Sequence, residues 1–210
     1  MSYYALFIAL TLFTAVSHGK PTTFRGNQPK PCCVPNQFSA LISSSTVGEI
    51  PNAETVATYG VFNISYDLNR DMVAAKGIAY SVIDQKNLSL WLIENIAEKQ
   101  SYTIDLDTKE CVKEPVLIQA FRCIPESATY LYSSMYGYDN NQFKGDTWYV
   151  EDKDLVSFVT VSGDGNCLLV GANTFVGNPR IVNSVTISNY VPKINDPSIF
   201  DIPDECKNAV

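Results

Sequence analysis

YGVFNISYDLNRDMVAAKGIAYSV, residues 59–82, is the stretch on which the fold turns. From residue 59 to 67 apolar and polar side chains alternate, and Phe62-Asn63-Ile64-Ser65-Tyr66-Asp67 holds that period of two. Such a period belongs to a strand with one dry face and one wet face. Leu68-Asn69-Arg70-Asp71 reads as a turn, and residues 72–82 resume as a strand built partly from small side chains. The same grammar recurs along the chain. Leu88-Ser89-Leu90-Trp91-Leu92-Ile93 is apolar on both faces, as expected of a strand covered from two sides, and residues 101–106 alternate with Tyr102, Ile104 and Leu106 together. Residues 116–121, 147–151, 155–161, 167–175 and 181–190 read as further strands, punctuated by turn chemistry at 105–109 and 162–166. Residues 127–136 suit either a short helix or another strand, and no stretch sustains an apolar period of 3.6. Short strands at regular spacing predict an all-β fold, an antiparallel sandwich or half-open barrel. With no repeat, low-complexity tract or linker, residues 20–210 are expected to form a single domain.

The first nineteen residues, MSYYALFIALTLFTAVSHG, carry an apolar run from Ala5 to Val16 that has the length of a signal-peptide core and is too short to span a bilayer comfortably. Ala15-Val16-Ser17 and Ser17-His18-Gly19 both fit a small-x-small cleavage site, so residues 1–19 are expected to be a signal peptide cut after Ser17 or Gly19. No later segment is long and apolar enough for a membrane span, which predicts a secreted protein. The six cysteines, Cys32, Cys33, Cys111, Cys123, Cys167 and Cys206, are an even number suited to an oxidising route. Spacing leaves their fifteen pairings open. Two acceptor triplets, at Asn63 and Asn87, fit N-glycosylation in the same compartment, and the alternation around Asn63 puts it on the wet face.

The chain is 46% hydrophobic, enough for a sizeable core, and its net charge of −7 argues against nucleic acid or an anionic membrane as partner. The one histidine, His18, falls in the leader, which removes Ser-His-Asp and Cys-His nucleophile systems and HExxH metal sites. A glycosidase-type carboxylate pair remains open, but nothing singles out two acids. No phosphate-cradling loop is present, so no organic cofactor is expected. Calcium is the cation the acidic chain suits: Glu151, Asp152 and Asp154 cluster at a strand end, Asp139-Asn140-Asn141 offers oxygens on a loop, and residues 105–109 begin like an EF-hand loop before Lys109 breaks it. Twelve tyrosines, ten phenylalanines and two tryptophans exceed what a small sandwich needs as filler. Trp91, Tyr102, Tyr132, Phe158 and Phe175 are candidates for the lining of an apolar ligand cavity, with ordinary core packing as the alternative.

Several segments resemble the ependymin-related proteins. Pro31-Cys32-Cys33-Val34-Pro35-Asn36-Gln37-Phe38 is similar to the opening of the mature family members, and Ile64-Ser65-Tyr66-Asp67 with Asn69-Arg70 to their second-strand hairpin. Tyr102-Thr103-Ile104-Asp105 running through Asp107-Thr108-Lys109-Glu110-Cys111, Ile124-Pro125-Glu126-Ser127-Ala128-Thr129-Tyr130, and the closing NDPSIFDIPDEC of residues 195–206 complete the series in order. The resemblance implies two stacked antiparallel sheets around a deep hydrophobic pocket, like bacterial lipoprotein carriers. It also implies a secreted, glycosylated, often dimeric protein associated with lipid or another hydrophobic small molecule, with calcium and with cell–matrix adhesion. By motif match it pairs Cys32 with Cys167, Cys111 with Cys206 and Cys33 with Cys123, making the C-terminal segment a strap pinned at its last thiol. Phe38 stands where vertebrate relatives carry tryptophan, which weakens transfer of ligand identity. The functional expectation is a non-enzymatic binder of an apolar ligand with weak calcium binding. The alternative is an acidic structural component of an extracellular matrix, mineralised or not.

Overall fold

In the computed structural model, residues 28–49, 55–116, 122–178 and 180–208 are described, and eleven strands form one antiparallel sheet. In chain order they are β1 (Gln37–Glu49), β2 (Thr55–Asp67), β3 (Met72–Ser81), β4 (Lys86–Asn95), β5 (Gln100–Asp105), β6 (Cys111–Pro115), β7 (Thr129–Tyr138), β8 (Asn141–Asp152), β9 (Leu155–Ser162), β10 (Leu169–Val176) and β11 (Ile181–Val191). Two 3-10 turns, Pro197–Phe200 and Asp204–Asn208, close the chain. The leader, residues 1–19, and all but the first residue of the strand expected at 116–121 lie outside the described residues. Of residues 127–136, those from 129 onward are strand and form most of β7.

The strand order is β6-β5-β4-β3-β2-β1-β11-β10-β9-β8-β7. From β1 the chain meanders outward to one edge at β6, restarts at the opposite edge with β7 and meanders back until β11 pairs with β1. The stacked layers expected from the sequence are therefore the two wings of a single continuous sheet, joined through the β1–β11 ladder that runs from Ser39↔Val191 to Gly48↔Ile181. Eleven strands carrying the ordinary twist do not stay flat; they curl until one face closes on itself.

Alternation decides which face goes inside. Phe38 and Ile42 of β1, Phe62, Ile64 and Tyr66 of β2 and Leu90 and Leu92 of β4 share one buried cluster with Trp148 and Val150 of β8 and Val159 and Val161 of β9. Trp148 is only 1% exposed, which a single open layer could not achieve. Each large apolar side chain so enclosed contributes about 1.5–3 kcal/mol. A second cluster lies on the outer face, where Ala74, Ile93, Tyr102 and Ile104 are covered by Ile199, Phe200 and Cys206 of the C-terminal segment. Asp196 starts its first turn by accepting the backbone N–H of Ser198 at 3.0 Å, with Pro197 at the position where a missing N–H does no harm. The Nε1 of Trp91 donates to the Ile199 carbonyl at 2.8 Å and the Asn195 N–H to Ser39 Oγ at 3.1 Å.

The disulfides are Cys32–Cys167, Cys33–Cys123 and Cys111–Cys206, the pairs implied by the resemblance. The first two tie the segment before β1 to the segments before β10 and β7; the third pins the tail to β6.

Candidate functional site

Register places one row of side chains across the inner face near the hairpin end of β2. Phe38 is opposite Tyr66, Tyr66 opposite Val73, Val73 opposite Glu94, and Glu94 opposite Ser101. Phe38 stacks on Tyr66 with ring centroids 4.6 Å apart and on Tyr190 at 5.2 Å, so three aromatic rings continue the row onto β11. The row is apolar except at its end, and there the chemistry is unusual. Glu94 is 6% exposed, and among the described residues no donor reaches its carboxyl group. Burial raises its pKa from 4.5 to about 8. Burial first, and the neighbouring Glu94 second, also push the Tyr66 hydroxyl well above its ordinary range.

Among the described residues three polar atoms lie buried without a hydrogen-bond partner: Thr103 Oγ1, Trp148 Nε1 and the Tyr190 hydroxyl. Thr103 is opposite Leu92 and so faces inward beside Glu94, while Trp148 belongs to the other wing, where Tyr130 meets its indole edge-on at 5.6 Å. Nearly all buried polar atoms in folded proteins are satisfied, and each orphan costs about 1–3 kcal/mol. The inner wall combines aromatic bulk with one unpaired carboxyl, two hydroxyls and one indole N–H, groups that an apolar body with a polar end would satisfy if the two wings parted to admit it. Glu94 has Val73 and Ser101 as register neighbours, not a second acid.

On the outer face a cavity of about 490 Å³ opens beside the tail. Its floor is a second register row, Leu41–Asn63–Lys76–Trp91, and its wall is Asn195, Asp196, Ser198 and Ile199. The Lys76 ammonium sits 5.0 Å from the centroid of the Trp91 ring.

The five aromatic residues expected to line a ligand cavity are not brought together. Trp91 borders the outer cavity, and Tyr102 is buried under the tail. Phe158 and Phe175 form an edge-on pair 6.1 Å apart on the outer face of the other wing, 36% and 44% exposed, and Tyr132 is 52% exposed on β7. The aromatics of the inner wall among the described residues are instead Phe38, Phe62, Tyr66, Tyr130, Trp148 and Tyr190. The reason is parity: in a strand apolar on both sides, such as β4, side-chain type does not say which side is in. The strand at residues 62–67 did say so, and Tyr66 was legible there.

The carboxylates expected at a metal do not converge either. Glu151 and Asp152 are consecutive on β8 and so point to opposite faces, and Glu151 accepts a hydrogen bond from the Tyr149 hydroxyl at 3.0 Å. Asp154 lies beyond the turn, where Lys153 has φ 45°. Asp105 Oδ1 accepts the backbone N–H groups of Asp107 and Thr108, an Asx turn rather than the start of a calcium loop. Among the described residues no group of three or more acidic, histidine or cysteine side chains is placed to hold a metal ion. Asn63 and Asn87 are both exposed on strands. Among the described residues no helix is long and apolar enough to cross a membrane.

A family model described as Ependymin matches residues 84–206, more than half of the chain. The chain is 24% identical over 190 residues to ependymin-related protein 1 of Haliotis asinina, covering 83% of this chain and 90% of that one. It is 25% identical over 191 residues to ependymin-related protein 2 of the same animal, covering 84% and 89%. Among solved structures it is similar to the Mycobacterium tuberculosis lipoprotein LppX, with TM-score 0.43, 14% identity and coverage of 75% of this chain and 88% of that one. It is also similar to a LolA superfamily protein of Nitrosomonas europaea, with TM-score 0.29, 8% identity and coverage of 81% and 89%.

Proposed function

The chain belongs to the ependymin family, and on that premise we propose that it is a secreted, non-enzymatic binding protein holding an amphiphile against the inner face of its sheet. The observation that carries this reading is the set of unpaired polar atoms on an otherwise apolar wall, Thr103 Oγ1, Trp148 Nε1 and the Tyr190 hydroxyl, together with the buried Glu94 carboxyl whose pKa burial raises. An apolar guest with a hydrogen-bonding head satisfies them and lies against the Phe38, Tyr66 and Tyr190 rings. The head that suits the Glu94 carboxyl best is an amine, whose ammonium charge favours the ionised carboxylate and draws the proton off Glu94. Charge-assisted hydrogen bonds of that kind contribute about 1.5–3 kcal/mol.

The test is native mass spectrometry and solvent extraction of the secreted protein, followed by rebinding. A long-chain amphiphile is expected to co-purify. A long-chain amine is then expected to bind at least about tenfold more tightly than the fatty acid of equal length, a difference of about 1.4 kcal/mol that vanishes in Glu94→Gln. Saturable binding of neither, with nothing co-purifying, ends the proposal.

The acidic exterior, net charge −7, supports weak association with calcium and contact with extracellular-matrix components. Because no ligand set converges among the described residues, calcium is held as diffuse surface charge. Calorimetry is expected to show only millimolar binding, abolished by 0.5 M salt as screening shortens to about 4 Å; a micromolar, salt-resistant site would contradict this.

A further inference from the structure

The outer cavity is unlike the inner wall. Its lining sets three amides, three hydroxyls, Asp196 and Lys76 beside six apolar residues, with Trp91 the aromatic ring among them and Lys76 free of any ion pair among the described residues. That mixture suits a polyhydroxylated guest rather than a lipid. Asn63 stands in its floor, exposed, and opens the acceptor triplet Asn63-Ile64-Ser65. In the secretory lumen such an asparagine is modified while the chain is being made. Its Nδ2 bonds to the anomeric carbon of the first N-acetylglucosamine of a lipid-pyrophosphate-linked oligosaccharide, the amide gives up a proton, and the lipid pyrophosphate leaves.

We propose that this cavity is the seat of the glycan on Asn63, whose first two sugars lie along the floor from Asn63 past Lys76 to Trp91. The register fixes the direction: Asn63 is opposite Lys76 and Lys76 opposite Trp91, so the indole is two strand spacings, about 10 Å, from the attachment point. Two linked sugar rings cover that span. The second ring lies against the indole once Lys76, whose ammonium covers that face at 5.0 Å, swings aside to donate to an acetamido oxygen. The tail forms the far wall through Asp196 and Ser198, whose side chains already bond each other at 2.7 Å.

Order of synthesis makes the arrangement feasible. Cys206 follows Asn63 by well over half the chain, so the sugar is attached before the Cys111–Cys206 bond can fix the tail beside it. The tail then closes along a glycan that is already there. Asn87, at the start of β4, is not among the lining residues and serves as the internal control. The inference rests on the secreted compartment and not on the inner-face ligand; a protein that binds no amphiphile could still seat its glycan.

The experiment uses the full chain secreted from cells fed a precursor labelled in the acetamido methyl group, with Asn87→Gln assigning the signals. One methyl of the Asn63 glycan is expected to be displaced upfield by the indole ring current, returning to its free position on unfolding and in Trp91→Leu. Enzymatic release from the native protein is expected to be about tenfold slower at Asn63 than at Asn87, a gap that Trp91→Leu closes. If Trp91→Leu does not fold, the wild-type spectrum compared with its own unfolded form decides. An unmodified Asn63 in secreted protein, or methyl shifts and release rates equal to those of unfolded glycoprotein, overturns the inference.

Discussion

Ligand-free protein is expected to lose about 3 kcal/mol of stability between pH 5.5 and pH 8, and Glu94→Gln to lose almost none. The sign follows from the raised pKa. In the unfolded chain the carboxyl titrates near 4.5; in the folded protein, burial moves it to about 8. Between those values the unfolded state gives up the proton while the folded state keeps it, so each step up in pH favours unfolding. The contribution is intact below the unfolded pKa, declines through the window and levels off above the folded one. Of the groups facing Glu94, Tyr66 stays neutral throughout because its own pKa is pushed far upward, and Val73 and Ser101 do not titrate. Urea titrations at the two pH values measure the loss. Parallel slopes for wild type and Glu94→Gln would show that the carboxyl is reached by water and that its isolation is illusory. A bound long-chain amine is expected to reverse the trend, stabilising most at pH 8, where a cation meets an ionised partner.

That residue shows where sequence reading ran out. Strand content was legible because alternation and turns are local, and the hairpin at residues 59–82 appeared as expected, as β2 and β3. The central strand β1 is absent from the strands read in the sequence, and its Ser43-Ser44-Ser45 carries no apolar alternation. Its small polar side chains are tolerable in mid-sheet because the strands on either side supply partners: Thr46 Oγ1 accepts from Asn183 Nδ2 of β11 at 2.8 Å, and the Ser39 hydroxyl meets that of Ser65 on β2 at 3.0 Å. Glu94 follows directly on the strand read at residues 88–93 and was not singled out. One signal could have found it, namely its parity with Leu90 and Leu92, which puts it on their face. What no local pattern supplies is the covering wing that makes the position dry. The same gap explains why Trp91 and Tyr102 looked like ligand contacts: their neighbours on the outer face are tail residues about a hundred positions away, and only the cysteine pairing hinted at that layer.

Cutting that layer loose should have the other large effect. Replacing both Cys111 and Cys206 with serine removes a cross-link spanning 95 residues, worth about 4–5 kcal/mol in the loop-entropy view, a large share of the about 5–15 kcal/mol a domain possesses. The double change avoids leaving a lone thiol. The consequence reaches further than stability. Under the strap runs the outer row Ser39–Ser65–Ala74–Ile93–Tyr102, and each member is the chain neighbour of an inner-row residue: Phe38, Tyr66, Val73, Glu94 and Ser101. The tail thus rests on the back of the very backbone segments that hold the polar row in place, with Ile199 and Phe200 as its anchors. Phe200→Ala keeps the disulfide and removes one anchor, at about 3–5 kcal/mol for a buried ring. Both variants are expected to melt early and, well below their midpoints, to bind the long-chain amine about tenfold more weakly while Trp91 emission shifts red. Lost stability with unchanged affinity would mean that the strap is a staple only and that the two faces of β3–β5 act independently.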